Sequence, residues 1–241
     1  MLGYPTGRRV TSKDGDGWVQ AFEKGFTIDS DRTTTQVVHG AASTKWAALG
    51  RETSPLGYPT AARRAAADGG WLQPFEHGAV CDSPRTRTSA VVGAVHTEWR
   101  ASGGEGGLLG YPHKDAVAGQ GGGRGQWFEG GEIWARSGGR GFRITGPVLT
   151  AWRRAGYERG LGYPTDRAVS RRGGGVGQAF DRGRLWVRPG TITARAVTGR
   201  VLAAWRAAGS EAGRYGYPTS DTTTAADGTQ RCTFEHGTIT A

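Results

Sequence analysis

Leu161-Gly162-Tyr163-Pro164-Thr165 is one of five near-copies of a single phrase. The others are Leu2-Gly3-Tyr4-Pro5-Thr6, Leu56-Gly57-Tyr58-Pro59-Thr60, Leu109-Gly110-Tyr111-Pro112 and Tyr215-Gly216-Tyr217-Pro218-Thr219. The phrase glycines are 54, 53, 52 and 54 residues apart, and such a period marks a repeat architecture. Other positions keep the same beat. Trp46, Trp99, Trp152 and Trp205 are each 53 residues apart, and Phe22, Phe75, Phe128, Phe180 and Phe234 each open the string Phe-acid-x-Gly. Chemically the phrase is a joint. Glycine permits an unusual backbone angle, proline fixes φ and keeps the preceding Tyr extended, and Leu and Tyr add apolar area to a segment too short for a helix. It is expected to connect the helix of one repeat to the hairpin of the next.

Each repeat predicts a hairpin and then a short helix. His77-Gly78 suits the centre of a two-residue turn, as do Lys24-Gly25, Gly130-Gly131, Arg182-Gly183 and His236-Gly237. That turn would place Phe75 opposite Val80, Phe128 opposite Ile133, Phe180 opposite Leu185, Phe234 opposite Ile239 and Phe22 opposite Thr27, on a core face. Gly40, Gly93, Gly146 and Gly199 stand at helix starts, with Pro147 at a first helical position. Gly50, Gly103, Gly156 and Gly209 stand where left-handed C-caps belong. Val148, Trp152 and Ala155 form one stripe, so the recurring Trp is expected in the core, with Arg100, Arg153 and Arg206 turned to solvent. The fold class is therefore an α+β repeat protein of five hairpin units and four intervening short helices. The units run approximately 2–55, 56–108, 109–160, 161–214 and a partial 215–241.

Composition fits a folded, turn-rich chain. With 43 Gly and 36% hydrophobic residues the sequence approaches low complexity, but nine Trp and seven Tyr supply burial that a disordered chain lacks. No apolar run approaches the roughly 18 residues that span a bilayer. No signal peptide is expected ahead of Leu2, where the first repeat phrase begins at once. The chain opens in mid-phrase, as a segment excised from a longer protein would. Cys81 and Cys232, 151 residues apart, fit no metal spacing; one disulfide or two free thiols are both compatible with them. A net charge of +10 attracts polyanions such as wall polymers, anionic lipid or nucleic acid.

The joint, the hairpin Phe128-Glu129-Gly130-Gly131-Glu132-Ile133-Trp134 and the helix ending in Trp and Gly together resemble the LGFP repeat family, over essentially the whole chain. The resemblance implies a secreted, actinobacterial, cell-envelope setting, which the Arg- and Gly-rich composition suits. It also implies attachment to an enzyme such as a mycolyltransferase or amidase, and a compact pseudo-five-fold ring. Tyr215, His113, Asp181 and Cys81 depart from the pattern and break the equality of the copies.

The chemistry points away from catalysis. His39, His77, His96, His113 and His236 have no nucleophile or carboxylate in a base-pairing pattern, and no metal or phosphate motif is present. No cofactor is expected. The acid after Phe (Glu23, Glu76, Glu129, Asp181, Glu235) is read first as a turn carboxylate held by backbone N–H groups or an Arg, and second as an acceptor for sugar hydroxyls. Gln20, Gln73, Gln126 and Gln178 are expected to satisfy buried backbone groups. By the predicted register Trp127 faces Trp134 and Ala179 faces Trp186, opposite in parity to the core. These Trp residues, with Glu129 and Glu132, are the candidate stacking platform for a sugar; packing against a neighbouring unit is the competing reading. Arg8, Arg9, Arg63, Arg64, Lys114, Arg124, Arg171 and Arg172 are expected to make a basic rim. The expected partner is a cell-wall polysaccharide or other envelope polymer, with a protein-docking scaffold in a larger secreted complex as the alternative. Nucleic acid is less favoured, because the Arg pairs are sparse and not interleaved with aromatics.

Overall fold

The computed structural model describes residues 1–241 except for the side chain of Arg172. Among the described residues five antiparallel sheets follow one another along the chain. The first holds β1 (Val10–Thr11), β2 (Gly17–Phe22), β3 (Gly25–Ser30) and β4 (Gln36–His39), paired in that order. The second holds β5 (Arg64–Ala65), β6 (Trp71–Phe75), β7 (Gly78–Ser83) and β8 (Thr86–Val92). The third is built from β9 (Val117–Ala118), β10 (Arg124–Phe128), β11 (Gly131–Ala135) and β12 (Gly141–Ile144). The fourth is built from β13 (Val169–Ser170), β14 (Val176–Phe180), β15 (Gly183–Val187) and β16 (Ala194–Thr198). The fifth has three strands, β17 (Thr223–Thr224), β18 (Gln230–Phe234) and β19 (Gly237–Thr240).

The expected helices follow the first four sheets: α1 (Ala41–Leu49), α2 (Gly93–Ala101), α3 (Gly146–Arg154) and α5 (Gly199–Ala207). One further turn of helix, α4 (Tyr157–Gly160), follows α3 where the other repeats have a 3-10 turn. The glycines after the helices are left-handed, with φ of 108° at Gly50, 96° at Gly103, 87° at Gly156 and 93° at Gly209. These are conformations that a side chain disfavours. In α3 the stripe shifts from its expected line: Val148, Leu149, Ala151 and Trp152 are buried, whereas Ala155 is exposed because the helix already ends at Arg154. Arg100, Arg153 and Arg206 are exposed.

The chain forms two compact units. One comprises Met1–Ala118, Arg124–Ile133 and Gly139–Gly141; the other comprises Gly119–Gly123, Trp134–Gly138 and Phe142–Ala241. Within the first unit the second sheet packs on both faces. Phe75, Val80 and Ala90 join Trp46 of α1, Leu56 and Tyr58 in one core, and Leu72, Cys81 and Val91 join Trp99 of α2, Leu109 and Tyr111 in another. The second unit repeats the arrangement, with Trp186 and Val197 packed on Trp205 of α5, Tyr217, Phe234 and Ile239. Alternate residues of a strand thus feed two different cores.

The hairpin register differs from the expected one. Phe75 pairs with Gly78 and Gln73 with Val80, so the turn is centred on Glu76-His77. The same pairing sets Phe22 against Gly25, Phe180 against Gly183 and Phe234 against Gly237. The shift is an even one, so every residue keeps its face. Steric room explains the glycine better than turn geometry does. A Cβ on Gly78 would lie 2.3 Å from the carbonyl oxygen of Val91, so the fourth strand approaches too closely for a side chain.

Candidate functional site

The joints are the most regular polar feature. The acid after each Phe turns back onto the joint that opens its own repeat, where the backbone N–H of Tyr58 donates to Glu76 at 2.8 Å and that of Tyr111 to Glu129 at 2.9 Å. Tyr163 N–H donates to Asp181 at 2.8 Å and Tyr217 N–H to Glu235 at 2.9 Å. An Arg from the preceding sheet meets each carboxylate: Arg32 with Glu76, Arg85 with Glu129, Arg136 with Asp181 and Arg188 with Glu235. The turn-carboxylate reading therefore accounts for these acids. Above them the recurring indole N–H groups donate to the joint glycine carbonyls, Trp46 to Gly57 at 3.1 Å and Trp99 to Gly110 at 2.9 Å, with Trp152 and Trp205 doing the same.

The joint tyrosines lock the other side. Tyr58 donates its hydroxyl to Asp14 at 2.5 Å, Tyr111 to the Ala67 carbonyl at 2.6 Å and Tyr163 to the Gln120 carbonyl at 2.7 Å. Burial first, and then the bond to Asp14, pushes the Tyr58 phenol up to about 12. Burial followed by nearby Glu105 does the same for Tyr111. Gln73 donates to Ala61, Gln126 to Lys114 and Gln178 to Asp166, satisfying carbonyls of the loop after each joint. Cys81 and Cys232 are both free and buried, and burial raises both thiols, so they stay protonated at neutral pH. They make no disulfide.

The proposed sugar platform is not assembled from the residues expected. Trp134 is buried against Trp152, Tyr157 and Tyr163, with centroids 5.2, 6.0 and 6.3 Å away, and Trp186 is buried 5.0 Å from Trp205. Glu132 is fully buried. The second face of these two hairpins, which parity alone leaves open, is covered by the helix of the same repeat, α3 over Trp134 and α5 over Trp186. Trp186 stands opposite Gly177 rather than Ala179. Trp127 is half-buried under Lys114, whose Nζ lies 4.2 Å from the ring centroid. Glu129 has about a quarter of its side chain exposed (26%) and is engaged by Tyr111 and Arg85.

Of the basic rim, Arg8, Arg9, Arg64, Lys114 and Arg124 are exposed, and Arg63 and Arg171 are half-buried. The side chain of Arg172 lies outside the described residues. Several of these cations are already used. Arg64 pairs with Glu105 at 2.7 Å and Arg171 lies 5.4 Å from the Trp186 centroid.

Two constellations escape the sequence reading. Arg9 lies over Trp18 at 5.2 Å and meets Asp29 at 3.4 Å; Arg63 lies over Trp71 at 4.8 Å and meets Asp82 at 3.5 Å. Trp18 and Trp71 hold the same place, four residues before the repeat Phe. Because that Trp recurs only twice, it does not stand out against the five-fold signals. A second recurring acid, Glu52, Glu105, Glu158 and Glu211, also escapes; Glu105 and Glu129 with Arg85 line one cleft of about 410 Å³, and Glu211 and Glu235 with Arg188 an equivalent one of about 460 Å³.

The LGFP repeat model matches residues 2–54, 56–107, 109–160 and 161–213. No curated protein matches the chain at a significant level. Among solved structures, a protein of unknown function from Bacteroides caccae is 7% identical, with 93% of this chain and 68% of that one covered and a TM-score of 0.17. Extracellular domains of two hybrid two-component systems from B. thetaiotaomicron are 9% and 10% identical, at TM-scores of 0.18 and 0.20 with 96% of this chain covered. The chain spans about a third of those two domains, 33% and 32%. Likeness at these TM-scores says nothing about this chain's fold or function.

Proposed function

Because the chain belongs to the LGFP repeat family, we propose that it is a non-catalytic, lectin-like module of a secreted protein. It binds a cell-wall polysaccharide or other envelope polymer and holds an attached domain or assembly at a bacterial surface. The observation that carries this reading is a cation lying over an indole ring on three successive repeats: Arg9 on Trp18, Arg63 on Trp71 and Lys114 on Trp127. Repetition suits a polymer, since several weak contacts on one scaffold gain avidity when they engage together, here two at one repeat position and one, Trp127, at another. The exposed basic residues after the joints and the net charge of +10 add long-range attraction to an anionic wall. The closed five-unit ring implied by the resemblance belongs to the same proposal, and small-angle X-ray scattering tests it.

The direct experiment is retention of the purified chain on sedimented wall fractions, with immobilised DNA alongside. Retention on walls and weak retention on DNA is the expected result. Tight, salt-sensitive retention on DNA with none on any wall or polysaccharide preparation would overturn the reading.

A further inference from the structure

We propose that Trp18 with Arg9 and Asp29, and Trp71 with Arg63 and Asp82, are two equivalent subsites, each taking one pyranose ring of a neutral polysaccharide. The proposal rests on the envelope-polymer reading and narrows it to named residues and a ligand class.

Strand pairing builds both sites. Trp18 pairs with Thr11 on one side and Asp29 on the other, and Trp71 pairs with Ala65 and Asp82. Arg9 and Arg63 precede Thr11 and Ala65 by two residues, and period-two alternation returns them to the face of the Trp. The guanidinium groups therefore reach both the ring and the carboxylate in each repeat. Trp18 is 46% exposed and Trp71 43%, in a chain whose helix tryptophans are all fully buried. The scaffold does not demand this arrangement: Arg124, Val176 and Gln230 occupy the Trp position in the other three repeats. Two copies of a nearly half-exposed aromatic with the same polar neighbours are more than the repeat scaffold requires.

The chemistry fits a sugar ring. An indole face takes the apolar C–H face of a pyranose, while the equatorial hydroxyls at its edge need an acceptor and a fork of donors. Asp29 and Asp82 supply the first, Arg9 and Arg63 the second. Beside Trp18 these groups open a cleft of about 270 Å³, also lined by Gln20, Thr27 and Thr35, and the Thr35 hydroxyl donates to Asp29 at 2.9 Å to fix the carboxylate. At Trp18 the guanidinium and its ion pair are exposed, with 54% of the Arg9 side chain open. Such contacts are each weak, so Arg9 can swing to the sugar's edge and remain tethered by Asp29, whereas Arg63, with 14% of its side chain exposed, is held in place beside Trp71. In both sites one Arg meets one Asp. The subsite carries no net charge, and an anionic polymer gains nothing there, which selects a neutral ligand.

Affinity electrophoresis of the chain through dextran, mannan and galactan, with a glycerol-phosphate teichoic acid as the anionic arm, tests this, with intrinsic Trp fluorescence as a second readout. At least one neutral polymer is expected to retard the protein, with little change up to moderate salt. Trp18→Ala plus Trp71→Ala should weaken retardation at least tenfold and leave the thermal midpoint in place, and Trp18→Tyr plus Trp71→Tyr should restore part of it. Equal retardation of the wild type and the alanine pair would overturn the subsites while sparing the envelope reading. Retardation by the teichoic acid alone, abolished by salt, would overturn the neutral class. No retardation by any polymer, with no retention on walls, would overturn both.

Discussion

Replacing Glu129 by Ala separates the structural role of the repeat acid from a sugar-binding one. The variant removes the acceptor for the Tyr111 backbone N–H, which lies 2.9 Å away in a joint whose Tyr is only 1% exposed. A hydrogen bond to a charged group is worth about 1.5–3 kcal/mol, and leaving a buried N–H unpaired costs a similar amount. With 26% of its side chain exposed, Glu129 belongs at the lower end, about 2 kcal/mol. Its ion pair with Arg85 is 3.8 Å long with the arginine 64% exposed, which adds no more than about 0.5 kcal/mol. For a chain of this size about 2 kcal/mol lowers the thermal midpoint by about 4–8 °C. Differential scanning calorimetry reads the shift. Glu129→Gln, which keeps an acceptor but not the charge, should lose about half as much, and Arg85→Ala less than about 1 kcal/mol. A change under about 1 °C in Glu129→Ala would refute the joint account; loss of glycan retention at an unchanged midpoint would install the acid as a ligand group.

Trp134→Ala should cost about 3–5 kcal/mol in urea unfolding, as core aromatics do, whereas Trp18→Ala should stay within about 0.5 kcal/mol; comparable losses would mean the two indoles are not core and surface. Gly78→Ala forces a Cβ to within 2.3 Å of the Val91 carbonyl and should visibly lower the midpoint, while Gly7→Ala, with open space around its Cβ, should leave it unchanged or slightly raised. Burial, then repulsion from Arg100, holds the His96 imidazole down at about 4, against 6.5 unperturbed. The folded chain therefore stays neutral there while the unfolded chain takes up a proton, so stability falls as pH drops from about 6.5 towards 4. Allowing for the ring's partial exposure the loss is about 1–2 kcal/mol, and unfolding curves of His96→Gln at pH 7 and pH 4.5 should show a shallower pH dependence than the wild type.

The repeat, its joint, the helix-borne Trp and the polar work of the recurring Gln and of the acid after Phe can be read from the residues alone, because each is fixed by local chemistry. A left-handed glycine, a proline and a period of about 53 residues mean the same thing wherever the chain goes. Even the hairpin faces were legible, since the two-residue register difference at Phe75 leaves parity intact. Which faces are covered is a matter of tertiary packing. Parity places Trp134 and Trp186 together on one side of their hairpins, but not that a helix of the same repeat lies over it, and so it cannot separate a platform from a core. The same packing leaves Trp18 and Trp71 nearly half exposed, where an arginine just ahead of a short edge strand lies over each ring and meets an aspartate of the strand on the other side. Periodicity cannot report this: it records which positions recur, and coverage depends on which element packs on each face.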